Sequence, residues 1–192
     1  MRWMYQFPVG SGRWVNQKQE NSQGQDVKFQ NGSELIHDLN QCKRNQLQTI
    51  RMLHWARVEA LKAGYDEAIM LNNRGHVAEG SAENIFVIKN GKITTPPLSA
   101  DILNGITRNS AIQMIKASGK KINEKNITVK NLLSADEIFM TGTAAEVKSV
   151  TKVNQTKIGS GKIGPITKEL QSSFMDAVMG KNKKFLSWLK FL

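Results

Sequence analysis

GYDEAIMLNNRGHVAEGSAENIFVIKNGKITTPPLSADILNGITR, residues 64–108, is the stretch that decides how the chain is read. It is a run of short apolar segments between turn signals. Residues 66–71 carry the compact apolar run AIML and predict a strand. Residues 84–89 (NIFVIK) predict a second strand. Asn90-Gly91 is a hairpin turn, because both residues tolerate positive φ, and it leads into a third strand at Lys92–Thr95. Pro96-Pro97 ends that hairpin. Gly105-Ile106-Thr107-Arg108 then opens a helix, predicted from Thr107 to about Ser118, with Gly119 at its C-terminal cap.

Working outward, residues 56–63 (ARVEALKA) predict a helix with Val58, Ala60 and Leu61 on one side, stopped by Gly64. Residues 137–141 (EIFMT) read as a buried strand. Pro165 suits a first helical position, and Ile166, Leu170, Phe174 and Val178 recur every four residues behind it as an amphipathic stripe. The basic, amphipathic end at 181–192 is expected to dock on its own domain. Strands, hairpins and helices intermix without an internal repeat, so the fold class is α/β, or α+β.

Three clusters in this frame could carry chemistry. Residues 76–84 set the carboxylate of Glu79 among small residues, where it could face a cavity and meet a flat ring, or simply belong to a surface loop. Gly105–Arg108 could bind phosphate at a helix N-terminus, or Thr107 could merely cap the helix. Thr141-Gly142-Thr143-Ala144-Ala145-Glu146 follows a strand, and its small residues let backbone N–H groups converge on an anion; a plain turn is the alternative. Two anion sites and one carboxylate together suggest a phosphorylated cofactor more than any one of them does.

Composition bounds the rest. The 192 residues are 40% apolar and carry a net charge of +11 spread along most of the chain, which fits a solvated surface better than a nucleic-acid footprint. No run of 18 apolar residues predicts a membrane span, and no secretory pattern is seen at the start, so a cytoplasmic protein without membrane or nucleic-acid partners is expected. The single cysteine, Cys42, excludes a disulfide scaffold. His37, His54 and His76 lack metal-ligand spacing, and neither a nucleophile elbow nor a Walker or dinucleotide loop is present.

Residues 64–108, ADEIFMTGTAAEV at 135–147, the glycine run at Gly159–Thr167 and the ending around Trp188-Leu189 strongly resemble the class IV, fold-type IV pyridoxal-phosphate aminotransferases. They are most similar to the branched-chain amino acid aminotransferases. The resemblance covers residues 56–192, the larger C-terminal domain of a D-amino acid aminotransferase-like fold, with the small N-terminal domain missing. It implies pyridoxal 5'-phosphate as cofactor and amino transfer between leucine, isoleucine or valine and 2-oxoglutarate. D-amino acid aminotransferase and aminodeoxychorismate lyase activities stand as alternatives within the family. Amino acid and 2-oxo acid substrates and a homo-oligomer, dimer or larger, are implied as partners. By the same resemblance Glu79 pairs with the pyridine nitrogen and Leu103 packs on the ring. Thr107 with the Ile106 backbone grips the phosphate from one side, Gly142 and Thr143 from the other. Thr143, Ala144 and Ala145 present amides to the substrate carboxylate.

One departure is sharp. The family's Schiff-base lysine lies in K-x-x-x-N-Y-x-N, and counting back from Gly64-Tyr65 places it at Asn45, with Ile50 at the tyrosine position. Lys43 is two places off. The chain also changes composition near residue 56: no alanine precedes Ala56, while nine of the glutamines do. Residues 16–34 have almost no apolar period, as in a segment that cannot offset its ordering entropy. Read two bases out of frame, the codons permitted by residues 44–52 can encode K-x-x-x-N-Y-x-N in register. Residues 1–55 are therefore expected to be either a disordered polar segment or an out-of-frame stretch of an aminotransferase gene, in which case the chain is an inactive fragment or a cofactor-binding module without turnover. Resequencing across codons 1–60 tests the second expectation. One inserted or deleted base near codon 56 that restores the lysine pattern supports it; a confirmed frame removes it.

Overall fold

The computed structural model describes residues 25–29 and 46–189. In chain order the elements are β1 (Gln25–Phe29), α1 (Gln46–Lys62), β2 (Glu67–Leu71), β3 (Val77–Gly80), β4 (Asn84–Lys89), β5 (Lys92–Thr95), α2 (Ile106–Ala117), β6 (Ile122–Glu124), α3 (Val129–Leu133), β7 (Glu137–Gly142), β8 (Glu146–Val153), β9 (Thr156–Lys157) and α4 (Pro165–Val178). Short 3₁₀ turns occupy Leu98–Ala100 and Lys183–Trp188.

The strands form one sheet in the order β3-β2-β1-β8-β7-β4-β5-β6, with β9 hairpinned onto β8. The sheet is mixed: β1 runs parallel to β2 and β8, β5 parallel to β6, and the other pairs are antiparallel. A bridge between Val77 on β3 and Ile127, just past β6, joins its two margins, and the Val77 N–H donates to the Ile127 carbonyl at 2.8 Å. The sheet thus curls around an inner core of Ile69, Leu71, Val77, Ile85, Val87, Ile138, Met140 and Val150. A second core lies on the outer face, where Phe86 and Phe139 stack at 4.5 Å beneath Ala111, Ile112 and Ile115 of α2 and Leu170 and Ala177 of α4. A third joins Ala56 and Ala60 of α1 to Ala68 and Met70 of β2, alanines permitting the close approach.

The hairpin expected at Asn90-Gly91 is present with both residues at positive φ, 49° and 69°. Asp136 locks it, accepting from the Asn90 N–H at 2.6 Å and from Lys89 Nζ at 2.7 Å. Other expectations shift. Helix α1 begins at Gln46, not Ala56, so it crosses the composition break. Gln, Leu, Arg and Met are good helix formers, and propensity does not register the change that alanine content does. Residues 25–29, inside the stretch read as disordered, form a strand between β2 and β8. A strand flanked on both sides gains a complete backbone ladder whatever its side chains. On α4 the buried fourth contact is Ala177, while Val178 is exposed, because four-residue spacing drifts from a 3.6-residue turn. The closing segment docks as expected, with Phe185 buried and its ring tilted against Trp188, centroids 4.4 Å apart.

The start of α4 is held by tertiary contact. Its N-cap, Gly164, has no side chain to offer. Instead the buried Glu137 of β7 accepts from the Thr167 N–H and Oγ1, both at 2.8 Å, and from the Ile166 N–H at 3.2 Å. A Cβ on Gly164 would collide with that carboxyl group. Glu137→Ala is expected to lower the unfolding free energy by about 2 kcal/mol. Gly164→Ala should cost about as much, by displacing the same carboxylate, yet little more once Glu137 is already alanine. Urea unfolding of the two single variants and the double variant checks this; strictly additive losses would refute the cap.

Candidate functional site

The site grows from the turn between β3 and β4. The Gly80 N–H donates to the Glu83 carbonyl at 2.6 Å, closing a tight reversal that brings Glu79 and Asn84 side by side. Asn84 Nδ2 donates to Glu79 Oε2 at 3.0 Å and also to the Leu103 carbonyl at 2.9 Å. The Leu103 N–H donates back to Glu79 Oε2 at 2.9 Å. Both donors reach Oε2, which leaves Oε1 to meet a further donor. Burial raises the Glu79 carboxyl to about 7, against the lowering influence of the Leu103 N–H and the Arg108 charge.

Helix α2 starts beside this group. Its N-cap is Gly105, extended at φ −67° and ψ 138°, with no side-chain cap on the first turn. Thr107 is the second helical residue, so the reading of Thr107 as the cap is corrected: the chain turns helical one residue earlier, and the first N–H groups have no side-chain acceptor. Ile106 and Leu103 are strongly exposed, at 84% and 72%, so both present apolar surface outward beside the helix start. Arg108 is buried under the helix start, donating from Nη2 to the Pro96 carbonyl at 3.0 Å and pairing with Glu124 at 2.7 Å. Its Nε has no partner among the described residues. With Arg108 already paired to Glu124, it is the uncapped N–H groups of the first turn that favour an anion there.

The third part is the end of β7. Asn84 and Thr141 are ladder partners across β4 and β7, so Gly142 follows directly beside the β3–β4 turn. A Cβ on Gly142 would lie 3.1 Å from the Ala82 carbonyl and 3.2 Å from Glu83 Cγ, so a larger residue would push the neighbouring turn back by a few tenths of an ångström. Thr143 and Ala144 are exposed and Ala145 half-buried in the turn to β8. Behind it lies a buried acidic pair. Glu67 accepts from the Ala68 N–H at 2.8 Å and the Ser81 N–H at 3.3 Å and pairs with Arg57 at 3.2 Å. Glu83, buried with Oε2 unpartnered among the described residues, is raised to about 7 by burial and by the Glu67 charge.

The structure thus joins Glu79, Leu103 and the Gly105–Thr107 helix start directly through Asn84. It sets Gly142 and the 143–145 turn alongside through the β4–β7 ladder. Asn45, the position counted for the lysine, lies outside the described residues. Sequence reading gave no role to Asn84, Arg108 or Glu83. The signal for Asn84 was its spacing from Glu79 across a turn of small residues; that for Arg108, a lone cation in the first turn of a helix with no acid in that turn.

The family described as Amino-transferase class IV matches residues 37–153. A probable branched-chain-amino-acid aminotransferase of Aquifex aeolicus is 53% identical over 135 residues, 70% of this chain and 43% of that protein. The branched-chain-amino-acid aminotransferase of Pseudomonas aeruginosa is 41% identical over 184 residues, 94% of this chain and 59% of that protein. Among solved structures, the branched-chain amino acid aminotransferase from Thermobaculum terrenum in its PLP-form superposes with a TM-score of 0.81 at 28% identity, over 89% of this chain and 56% of its own. The chain therefore spans about half the length of the curated relatives it matches. A family match across more than half of the residues, on a fold shared with solved members, settles the lineage: the chain belongs to the class IV aminotransferases.

Proposed function

We propose that this chain carries the cofactor-binding half of a branched-chain amino acid aminotransferase, taking pyridoxal 5'-phosphate and serving amino transfer between leucine, isoleucine or valine and 2-oxoglutarate. The observation that carries the reading is the Glu79 carboxylate, fixed through Oε2 with Oε1 left over, beside an uncapped helix N-terminus underlain by Arg108. These residues fit the cofactor at both ends. The amides of Ile106 and Thr107, with the Thr107 hydroxyl, would hold the phosphate, and Gly142 and Thr143 would close on its other side. Leu103 offers its exposed side chain to the ring face. When bound, the cofactor supplies an electron sink for the bond-breaking at the amino acid's α-carbon.

Within that frame Glu79 keeps a proton at the ring nitrogen, because an ionised carboxylate opposite the nitrogen favours the charged ring. Thr143, Ala144 and Ala145 would turn backbone N–H groups to the substrate carboxylate and orient the α-carbon.

Asn45 favours a second reading, in which the chain binds the cofactor without attaching it. Titration of the full chain with pyridoxal phosphate, followed by borohydride reduction and peptide mass spectrometry, separates the two. The chain as it stands is expected to shift the cofactor's absorbance yet retain no label at residue 45. Asn45→Lys is expected to trap the cofactor covalently there. Absence of any spectral shift in both proteins would sink the cofactor reading.

A pH profile follows from Glu79. Its carboxyl in the unloaded fold titrates near 7, above its ordinary value of 4.5. A raised carboxyl stabilises the fold fully below the unfolded value and loses that contribution as pH rises through about 7. Glu83 acts in the same direction. The unloaded chain should therefore melt at progressively lower temperature from about pH 5 to pH 8. Glu79→Gln should remove part of that decline. Bound pyridoxal phosphate should do the same, since a cationic ring nitrogen favours ionised Glu79. Melting curves across this range check it, and a decline unchanged in Glu79→Gln would contradict the assignment.

A further inference from the structure

We propose that Asn84 is a positioning residue for the cofactor half of the site: its carboxamide sets the Glu79 carboxylate, the Leu103 backbone and the start of α2 relative to one another. The reading of what the site binds rests on the function proposed above; the positioning itself rests on geometry. Asn84 is buried, 4% exposed, and its place is fixed by the β4–β7 ladder, where it faces Thr141. Its single nitrogen serves two acceptors, Glu79 Oε2 at 3.0 Å and the Leu103 carbonyl at 2.9 Å. The other end of the amide closes the arrangement, because Oδ1 packs so tightly on Gly105 that a Cβ there would collide with it. One side chain on β4 thereby touches β3, the 103–105 segment and the N-cap of α2.

The chemistry explains why an amide stands here. A lysine or arginine would hold Glu79 as firmly but would neutralise the charge wanted opposite a ring nitrogen. An aspartate would oppose it with a second negative charge. A neutral amide donates without changing the charge count, and Arg108 remains the cation felt at Glu79. Gly105 then has a reason beyond starting a helix: it leaves the room that Asn84 Oδ1 occupies.

The test uses the full chain, unloaded, with ¹³C-labelled glutamate. The Glu79 carboxyl resonance is assigned by its loss in Glu79→Gln and titrated in the parent, Asn84→Ala, Gly105→Ala and the double variant. Asn84→Ala is expected to raise the Glu79 midpoint by about one pH unit, since a donor to the ionised form is lost. Gly105→Ala, well separated from Glu79 along the chain, should raise it as well by displacing Asn84, and the double variant should go no further than Asn84→Ala alone. The proposal is overturned if Gly105→Ala leaves Glu79 unmoved, or if the two effects add. Should Asn84→Ala fail to fold, Asn84→Gln, which keeps the neutral amide but moves it by one methylene, replaces it: a rise in the Glu79 midpoint that Gly105→Ala does not extend supports the proposal, and no rise refutes it. Pyridoxal phosphate uptake by the parent is measured separately by absorbance. Coupling without uptake leaves the positioning intact and removes the cofactor reading; uptake without coupling does the reverse.

Discussion

The antiparallel ladder between β4 and β7 is the constraint from which the rest follows. Both strands are buried along almost their whole length, so each residue must suit one of two cores. Ile85, Val87, Ile138 and Met140 fill the inside of the curled sheet, while Phe86 and Phe139 stack on the outside against α2 and α4. A slip of one residue would exchange the two sets and drive the aromatic rings into the enclosed core. That register, fixed by packing, also decides the site. It leaves Asn84 opposite Thr141 at the end of the ladder, where the apolar pattern stops and polar groups take over.

The site is built from ends and turns, because regular backbone uses up its own hydrogen bonds. The β3–β4 reversal contributes Glu79 and Asn84, the start of α2 contributes unpaired N–H groups, and the turn after β7 contributes glycine and small residues. Each lies on a rigid element at one end of the sheet. At Gly105 the Asn84 side chain occupies the volume of a Cβ, and at Gly142 the β3–β4 turn leaves only a tight fit for one. The pair between buried Glu67 and half-buried Arg57 ties α1 to β2, so the acidic residues behind the site are anchored to the helix that crosses the composition break.

Much of this was legible in the residues. The Asn90-Gly91 hairpin, the EIFMT strand and the proline start of α4 each rest on local signals that tertiary packing had no cause to override. Glu79 and the Gly105–Thr107 helix start, singled out from local pattern alone, lie side by side in the fold. What escaped was non-local. Asn84 looks like the polar opening of a strand until the fold sets the Leu103 carbonyl against its amide. Arg108 reads as a surface charge until Pro96 and Glu124 enclose it. Strand β1 has little pattern of its own and is placed by the two strands beside it. Helix α1 reads too short when alanine content is the mark of order, whereas glutamine and arginine propagate a helix nearly as well.

Helix α4 shows how far such dependence reaches. Its first turn takes its hydrogen-bond acceptor from Glu137, on a strand far earlier in the chain, and its own N-cap is a glycine with nothing to donate or accept beyond the backbone. As a free segment α4 would begin with bare N–H groups and fray from that end. It gains a firm start only when β7 is already seated in the sheet. The stability of the helix is therefore tied to the sheet it packs on. The helix seals the outer core over Phe139, and the strand it covers supplies the acceptor its first turn lacks.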